Sequence, residues 1–387
     1  MTTALQVFFW ASVGLIAYVY FGYPALLFLL SRWRKVQSPL RRDDFEEPTV
    51  SLIIAAHNEE QVIAQKLENS LVLDYARDKL EIIVVSDGST DLTPKIVRDY
   101  RDQNVLLVDL PQNVGKACAQ NEAVKETSGD ILLFTDANVS LQQDAIRRLV
   151  RHFQDDAVGC VIGRVTYTNE AETGVSQAEG IYWRYELFLR HKESRIGNLV
   201  AGSGPIMAVR HCIFESLDPG ISEDFVLPMK AAIKGYRTVY EPEAVSEERL
   251  FQVTAQDMLK TRIRTTTLDT RSVFLCRAIL NPFRYPLHSW GLISHKILRW
   301  KIPYFLIVLF IVNLLLADHP LYRLTMALQM VFYALAVVGY LWQEKGKPPR
   351  VLGIPFSFCL VNLAALVGVA LFVLGKKAGQ WSPIRGS

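Results

Sequence analysis

Cysteine is scarce and unpatterned in this chain. Cys118, Cys160, Cys212, Cys276 and Cys359 are scattered, with no CxxC pair and no paired histidines. That excludes a disulfide framework or a zinc site as the expected design and leaves reduced, packed thiols. Net charge is also small, +3 over 387 residues, and no nucleic-acid motif accompanies it, so nucleic acid is not an expected partner. The basic residues are better explained as anchors beside anionic lipid. Internal repeats and low-complexity segments are absent. The first apolar run has no basic region before it and no small-residue cleavage site after it, so it does not read as a signal peptide and is expected to be retained.

What the chain does have is apolar sequence, unevenly placed. Residues 5–30 carry no charge, long enough at ~1.5 Å per residue to cross a bilayer core as a helix. Three further apolar stretches lie near 302–317, 323–342 and 352–374. The first of these is short and contains Pro303, which leaves an interfacial or re-entrant segment open. Arg32, Arg34, Lys35, Arg41 and Arg42 follow the N-terminal run, and the positive-inside rule then puts the middle of the chain in the cytoplasm. With three more spans, Lys345, Lys347 and Arg350 share that side, whereas Lys376, Lys377 and Arg385 fall on the other. The side of the C-terminus stays open.

Between the apolar ends, short β-rich runs (TVSLIIAA, EIIVVS, NVLLVD, DILLFTD) alternate with helical patterns over residues 48–160. This order predicts βαβ units and an α/β fold with a mostly parallel central sheet. Ligands bind such sheets beyond the carboxyl ends of the strands. Polar residues gather there: His57-Asn58-Glu59, Asp87-Gly88-Ser89 and Asp136-Ala137-Asn138. Further on, Glu172–Glu193 reads as an aromatic-rich helix with Tyr182, Trp183, Tyr185 and Phe188, and 254–276 as a basic amphipathic helix. Either would suit the membrane interface or ordinary core packing.

A strand-terminal Asp followed by Gly-Ser, as at Asp87, lets a ligand approach the backbone, although the same residues make an ordinary turn and cap. Asp136 at the end of a buried strand suits a hard divalent cation bridging phosphates. Glu223-Asp224 precedes an apolar helical pattern and would suit its dipole as a cap. His57 and Cys118 stand beside these motifs without an expected chemical role.

The ordered set SLIIAAHNEE, VVSDGSTD, NVGKACAQNEA, ILLFTDANV and ISEDFVLPMKAAIKGYRTVYEPEA, spread over residues 48–250, resembles glycosyltransferase family 2 with its GT-A fold. The resemblance implies a nucleotide-sugar-binding domain and an enzyme of the hexosyltransferase type. It places Ala56 and Glu59 beside the nucleotide base, Asp87 at the uracil or ribose, and Lys116 near the donor phosphates. Asp136 matches the first acid of the metal-binding DxD motif, and Asn138 stands where its second acid would be, with Mg²⁺ or Mn²⁺ as the implied cofactor. Asp224, paired with Glu223, matches the general base of an inverting transfer, where a carboxylate takes the proton of the attacking hydroxyl. Gly202, Ser203 and Gly204 match an acceptor-side loop. Arg262 and Arg264 on the basic helix are candidates for a cation that balances charge on the leaving diphosphate.

The expected organisation is an N-terminal transmembrane helix (1–31), a basic juxtamembrane linker (32–47), a cytoplasmic GT-A domain (48–250), amphipathic interface helices (251–300), about three C-terminal transmembrane helices (301–376) and a tail (377–387). Processive members of the family carry QxxRW. With its arginine aligned to Arg264, Thr261 and Thr265 stand where Gln and Trp would be. The expectation is therefore a multi-pass inner-membrane transferase that adds a sugar, from a UDP-sugar for preference, to a lipid-linked or glycan acceptor of exopolysaccharide or surface-glycan synthesis, with partners in a polysaccharide assembly complex. A processive synthase, a ceramide- or hopanoid-type lipid glycosyltransferase and an inactive scaffold subunit are the alternatives.

Overall fold

A computed structural model describes residues 2–34, 46–168, 175–249, 254–343 and 348–376. Lys35, Arg41, Arg42, Glu172, Lys345, Lys347, Lys377 and Arg385, on which several of these expectations rest, lie outside the described residues.

Helices α1 (Thr2–Ala17) and α2 (Tyr23–Trp33) are joined through a π-turn at Tyr18–Gly22 into one helix of 32 residues. Then β1 (Val50–Ala56), α3 (Ile63–Leu71), β2 (Leu80–Asp87), α4 (Thr93–Arg98), β3 (Val105–Leu110), α5 (Lys116–Lys125) and β4 (Ile131–Asp136) alternate as the β-rich runs predict. The domain is completed by β5 (Val139–Leu141), α6 (Ala145–Val150), β6 (Val158–Thr168), α7 (Val175–Arg195), β7 (Met207–Arg210), α8 (Glu223–Ile233) and β8 (Arg237–Arg249). One sheet results, in the order β3-β2-β1-β4-β7-β6-β8-β5. It is mixed rather than uniformly parallel. The pairs β3-β2, β2-β1, β1-β4 and β6-β8 are parallel, and those of β4-β7, β7-β6 and β5-β8 antiparallel.

The central strands are aliphatic on both faces because both faces are covered. Every residue of β1 is buried. On one side Ile53, Ile83, Phe134 and Met207 pack with Phe225 of α8, and on the other Leu52, Ile54, Val84 and Leu133 pack with Ile63, Leu67 and Ile146.

The C-terminal part comprises α9 (Ala255–Leu275), α10 (Pro286–Leu292), α11 (Leu298–Leu315), α12 (Pro320–Trp342) and α13 (Arg350–Val373). A second π-turn, Ile293–Ile297, joins α10 to α11. Among the described residues, four helices are long and apolar enough to cross a membrane: Thr2–Trp33, Pro286–Leu315, Pro320–Trp342 and Arg350–Val373. The segment expected to start near 302 thus begins at Pro286, and Pro303 sits inside it. Its early residues do not stand apart from the sheet domain, since Leu292 is buried in the core that lines the sheet. Helix α13 approaches α9 closely at Gly368, where a Cβ would stand 2.8 Å from Thr266, and Thr267 Oγ1 donates to the Gly368 carbonyl at 3.1 Å.

Buried polar contacts tie the two long helices that carry π-turns to α7. Trp290 Nε1 donates to Tyr18 Oη (2.9 Å), and Tyr18 meets Ser294 at 2.8 Å. Glu193 Oε1 accepts from Tyr23 and from His295 Nδ1, each at 2.7 Å, while Glu186 meets His295 Nε2 at 3.1 Å and also pairs with Arg299.

Candidate active site

Parallel pairing aligns the carboxyl ends of β2, β1 and β4. Ala56 is opposite Ser86 on one side, and Ala55 opposite Asp136 on the other. The residues leaving these strands therefore share one edge of the sheet. Asn58 adopts φ +55°, a conformation that Asn tolerates better than most residues. Its Oδ1 accepts from the Thr90 amide (2.8 Å), and its own amide donates to Ser89 Oγ (3.0 Å). The Glu59 amide donates to Thr93 Oγ1 at 2.7 Å. Ala56 and Glu59, expected beside the base, are both buried.

Asp87 is buried, and its two carboxylate oxygens accept from the amides of Val114 (2.7 Å) and Gly115 (2.9 Å). The expected contact with uracil or ribose is thus joined by a backbone role, because Asp87 shapes the turn that presents Lys116 at the start of α5. Gly88 is required in this arrangement. Its φ is +62°, and a Cβ there would lie 2.3 Å from the Asn113 amide. His57 Nδ1 donates to the Asp87 carbonyl at 2.6 Å, a structural bond.

Lys116 Nζ stands 2.6 Å from Asp136 Oδ1 and 2.6 Å from Glu223 Oε1. Burial alone would lower its ammonium, but the attraction of Asp136 and Glu223 outweighs this and raises it. Burial raises the Glu223 carboxyl, Lys116 opposes the rise, and Asp224 and Asp136 add to it. Asp224 is oriented from two sides: Oδ1 accepts from Ser222 Oγ (2.7 Å) and Oδ2 from the Gly204 amide (3.2 Å). The Gly202 amide also donates to the Asp224 carbonyl at 2.8 Å. The turn Gly202-Ser203-Gly204 therefore joins Asp224 to the Asp136–Lys116 pair, and a Cβ on Gly204 would lie 3.2 Å from Lys116 Nζ.

Asn138 Nδ2 donates to Glu248 Oε1 of β8 at 3.3 Å. Burial, reinforced by Asp136, raises the Glu248 carboxyl to about 7, against the Asn138 bond and Lys116. The sequence does not suggest this partner, which lies 110 residues from Asn138. Among the described residues no three His, Cys, Asp or Glu side chains are grouped so as to hold a metal by themselves. A Mg²⁺-type site does not need such a cage, since that ion commonly takes one or two carboxylates and completes its shell with phosphate oxygens and water. The partly exposed Asp136 carboxylate and the Asn138 side-chain oxygen fit a cation arriving in that company.

The candidate cations divide between two places. Arg264 is half-buried; burial lowers its guanidinium, and the charges of Glu223 and Asp136 oppose this, so it faces the acidic cluster. Arg262 instead lines a cavity of about 340 Å³ between α9, α7 and the long helices, together with Tyr20, Tyr185, Asp269, Lys296 and Trp300. Asp269 on the wall of this cavity is raised to about 7 by burial, against Lys296, with the charges of Asp224 and Glu223 adding to the rise. The cavity wall is thus within electrostatic reach of Asp224 on the side of the long helices.

Residues 51–217 match the model of a family described as glycosyl transferase family 2. They form a family 2 glycosyltransferase domain. Asp224 and Glu223 lie just beyond the matched range of this domain. An N-acetylglucosaminyltransferase of Rhizobium sp. (strain N33) is 30% identical over 215 residues, covering 51% of this chain and 48% of that protein. A poly-beta-1,6-N-acetyl-D-glucosamine synthase of Staphylococcus aureus (strain COL) is 29% identical over 205 residues, covering 51% and 48%. The chain spans about half the length of these curated relatives. A solved mannosyltransferase, PcManGT from Pyrobaculum calidifontis in complex with GDP-Man and Mn2+, superposes with a TM-score of 0.72 at 23% identity, over 97% of this chain and 100% of that one. The transferase domain thus has a GT-A fold.

Proposed function

We propose that the chain is an inverting glycosyltransferase that moves a sugar from a nucleotide-sugar, a UDP-sugar for preference, to a membrane-associated acceptor such as a polyprenyl-linked glycan. The observation that carries this reading is the convergence of Asp136, Lys116, Glu223 and Asp224 at one edge of the sheet, held by the Gly202–Gly204 turn. Asp136 and Asn138 would hold a Mg²⁺ or Mn²⁺ ion, which supplies charge neutralisation for the diphosphate when bound. Lys116 and Arg264 supply further positive charge toward the same region. Asp224, with two donors fixing its orientation, accepts the proton of the acceptor hydroxyl as that oxygen attacks the anomeric carbon.

The cavity supports an acceptor that approaches from the bilayer. It opens among helices of membrane-spanning length, and Asp269 on its wall is within electrostatic reach of Asp224. Arg32 and Arg34 at the end of the first long helix favour placing the transferase domain on the cytoplasmic side of the inner membrane. The altered QxxRW pattern favours limited addition over chain extension.

Two measurements test the reading. Thermal shift of the detergent-solubilised protein against a panel of nucleotide-sugars is expected to show a rise in Tm for the true donor, larger with Mg²⁺ or Mn²⁺, because a ligand that binds only the folded state stabilises it. No response to any nucleotide would turn the reading toward a scaffold. Incubation with radiolabelled donor and lipid-linked acceptor is expected to give a single mobility shift, and a long polymer would replace this reading by a processive synthase.

Gly202→Ala supplies a further check. Its Cβ would meet the Asp224 carbonyl oxygen at 2.2 Å, so the turn must move away from Asp224. Displacements near 1 Å cost about 10²-fold in rate, and kcat is expected to fall by that order with donor binding less affected. Wild-type kcat in this variant would show that the turn does not position Asp224.

A further inference from the structure

A lysine lies buried beneath the site, on a helix that contributes no expected contact to donor or acceptor. Ile63, Lys66, Leu67 and Ser70 form the inward face of α3, and Lys66 is 2% exposed. Its Nζ donates to Thr135 Oγ1 at 3.0 Å and to the Val139 carbonyl at 2.7 Å. These two residues flank the Asp136-Ala137-Asn138 turn. One helical turn further along α3, Asn69 completes the grip: its Nδ2 donates to the Leu141 carbonyl (2.9 Å) and its Oδ1 accepts from the Leu141 amide (2.8 Å).

The contact continues toward Asp224. An ammonium group only donates, so Lys66 occupies a lone pair of the Thr135 hydroxyl and leaves its hydrogen to point elsewhere. Thr135 Oγ1 donates to the Pro205 carbonyl at 2.9 Å. Pro205 ends the turn whose Gly202 and Gly204 amides bond Asp224. We propose that Lys66 is a positioning residue that, through Thr135, fixes the Asp136–Asn138 turn against the Gly202–Pro205 turn and so sets donor-side and base-side groups in register. The proposal rests on the functional reading above for its consequence in catalysis.

Burial lowers its ammonium to about 7, opposed by the charge of Asp136. Lys66→Met removes that desolvation cost but leaves the Val139 carbonyl without this donor, so a modest fall in Tm is expected together with a fall in kcat of roughly 10–100-fold, on the scale of misplacements near 1 Å. Thr135→Val cuts the same relay at its centre, and the double variant is expected to be no worse than the weaker single one, because coupled residues are non-additive. Hydrogen exchange supplies a readout independent of turnover: both single variants are expected to lose protection in 136–141 and 202–206 together, with the rest of the sheet unchanged. Retained kcat, losses that multiply in the double variant, or unchanged protection in 202–206 would overturn the proposal. If Lys66→Met does not fold, Thr135→Val decides by the same exchange measurement. Absence of transfer by the wild-type protein with every donor would instead count against the functional reading, and the exchange results would still decide the relay.

Discussion

Asp224→Asn is expected to reduce kcat by roughly 10²–10⁴-fold, the range attributed to general acid–base catalysis, with donor affinity nearly unchanged. The substitution is informative because it preserves shape. In the native site one carboxylate oxygen accepts from Ser222 Oγ and the other from the Gly204 amide. An asparagine can keep both contacts: its oxygen accepts from Gly204, and its amide group donates to the Ser222 hydroxyl, which can accept as readily as donate. Geometry survives and basicity does not. Transfer measured at saturating donor, with donor affinity from titration of the same preparation, separates the two. If the variant turns over at the wild-type rate, the base lies elsewhere, and Asp269, which lines the cavity within electrostatic reach of Asp224, becomes the group to replace next.

Strand ends were the most legible part of this site. Buried aliphatic runs ending in Asp87 and Asp136 announce a parallel sheet with a ligand edge, and β2, β1 and β4 are neighbours as that reading requires. What the carboxylates do there is a tertiary matter. Asp87 bonds the amides of residues 114 and 115, a loop that returns beside it only once β3 has paired with β2. Glu248 reaches Asn138 because β8 pairs with β5, and no local pattern links the two. Lys66 was within reach of a pattern argument, since positions 63, 66, 67 and 70 repeat at helical spacing and put a lysine on the buried face of α3.

The start of the helix Pro286–Leu315 was obscured for an electrostatic reason. His295, Lys296 and Arg299 interrupt the apolar run, so counting hydrophobic residues finds only its later half. Glu186 and Glu193 of α7 pair with His295 and Arg299, which is the usual condition for burying such groups. The same contacts hold α7, and with it the transferase domain, against the long helices. This explains why an interface seen as a domain boundary in the sequence is continuous packing in the structure.

Lys116→Met is expected to have the second large effect, on stability as well as activity. Lys116 is 2.6 Å from both Asp136 and Glu223, in a site that is mostly shielded from water. Removing the shared cation leaves the buried Glu223 carboxyl facing the partly exposed Asp136 carboxylate without compensation, and because Asp136 keeps some solvent the cost is expected toward the lower end of the range of about 3–5 kcal/mol for breaking a buried pair. The pH dependence identifies the cause. Glu223 is already raised above its ordinary value of 4.5 by burial, against the opposing effect of Lys116, and loss of Lys116 raises it further. A carboxyl raised in the folded state penalises folding as pH climbs from its unfolded value through its folded one, because the unfolded chain releases the proton first. The Tm difference between variant and wild type should therefore be largest at neutral pH and shrink as pH falls toward about 4.5. Mg²⁺ or Mn²⁺ with the donor should recover part of the difference, since a cation held by Asp136 replaces some of the lost charge. A Tm gap independent of pH would show that Lys116 supports the fold through packing alone, and the acidic cluster would then need another source of compensation.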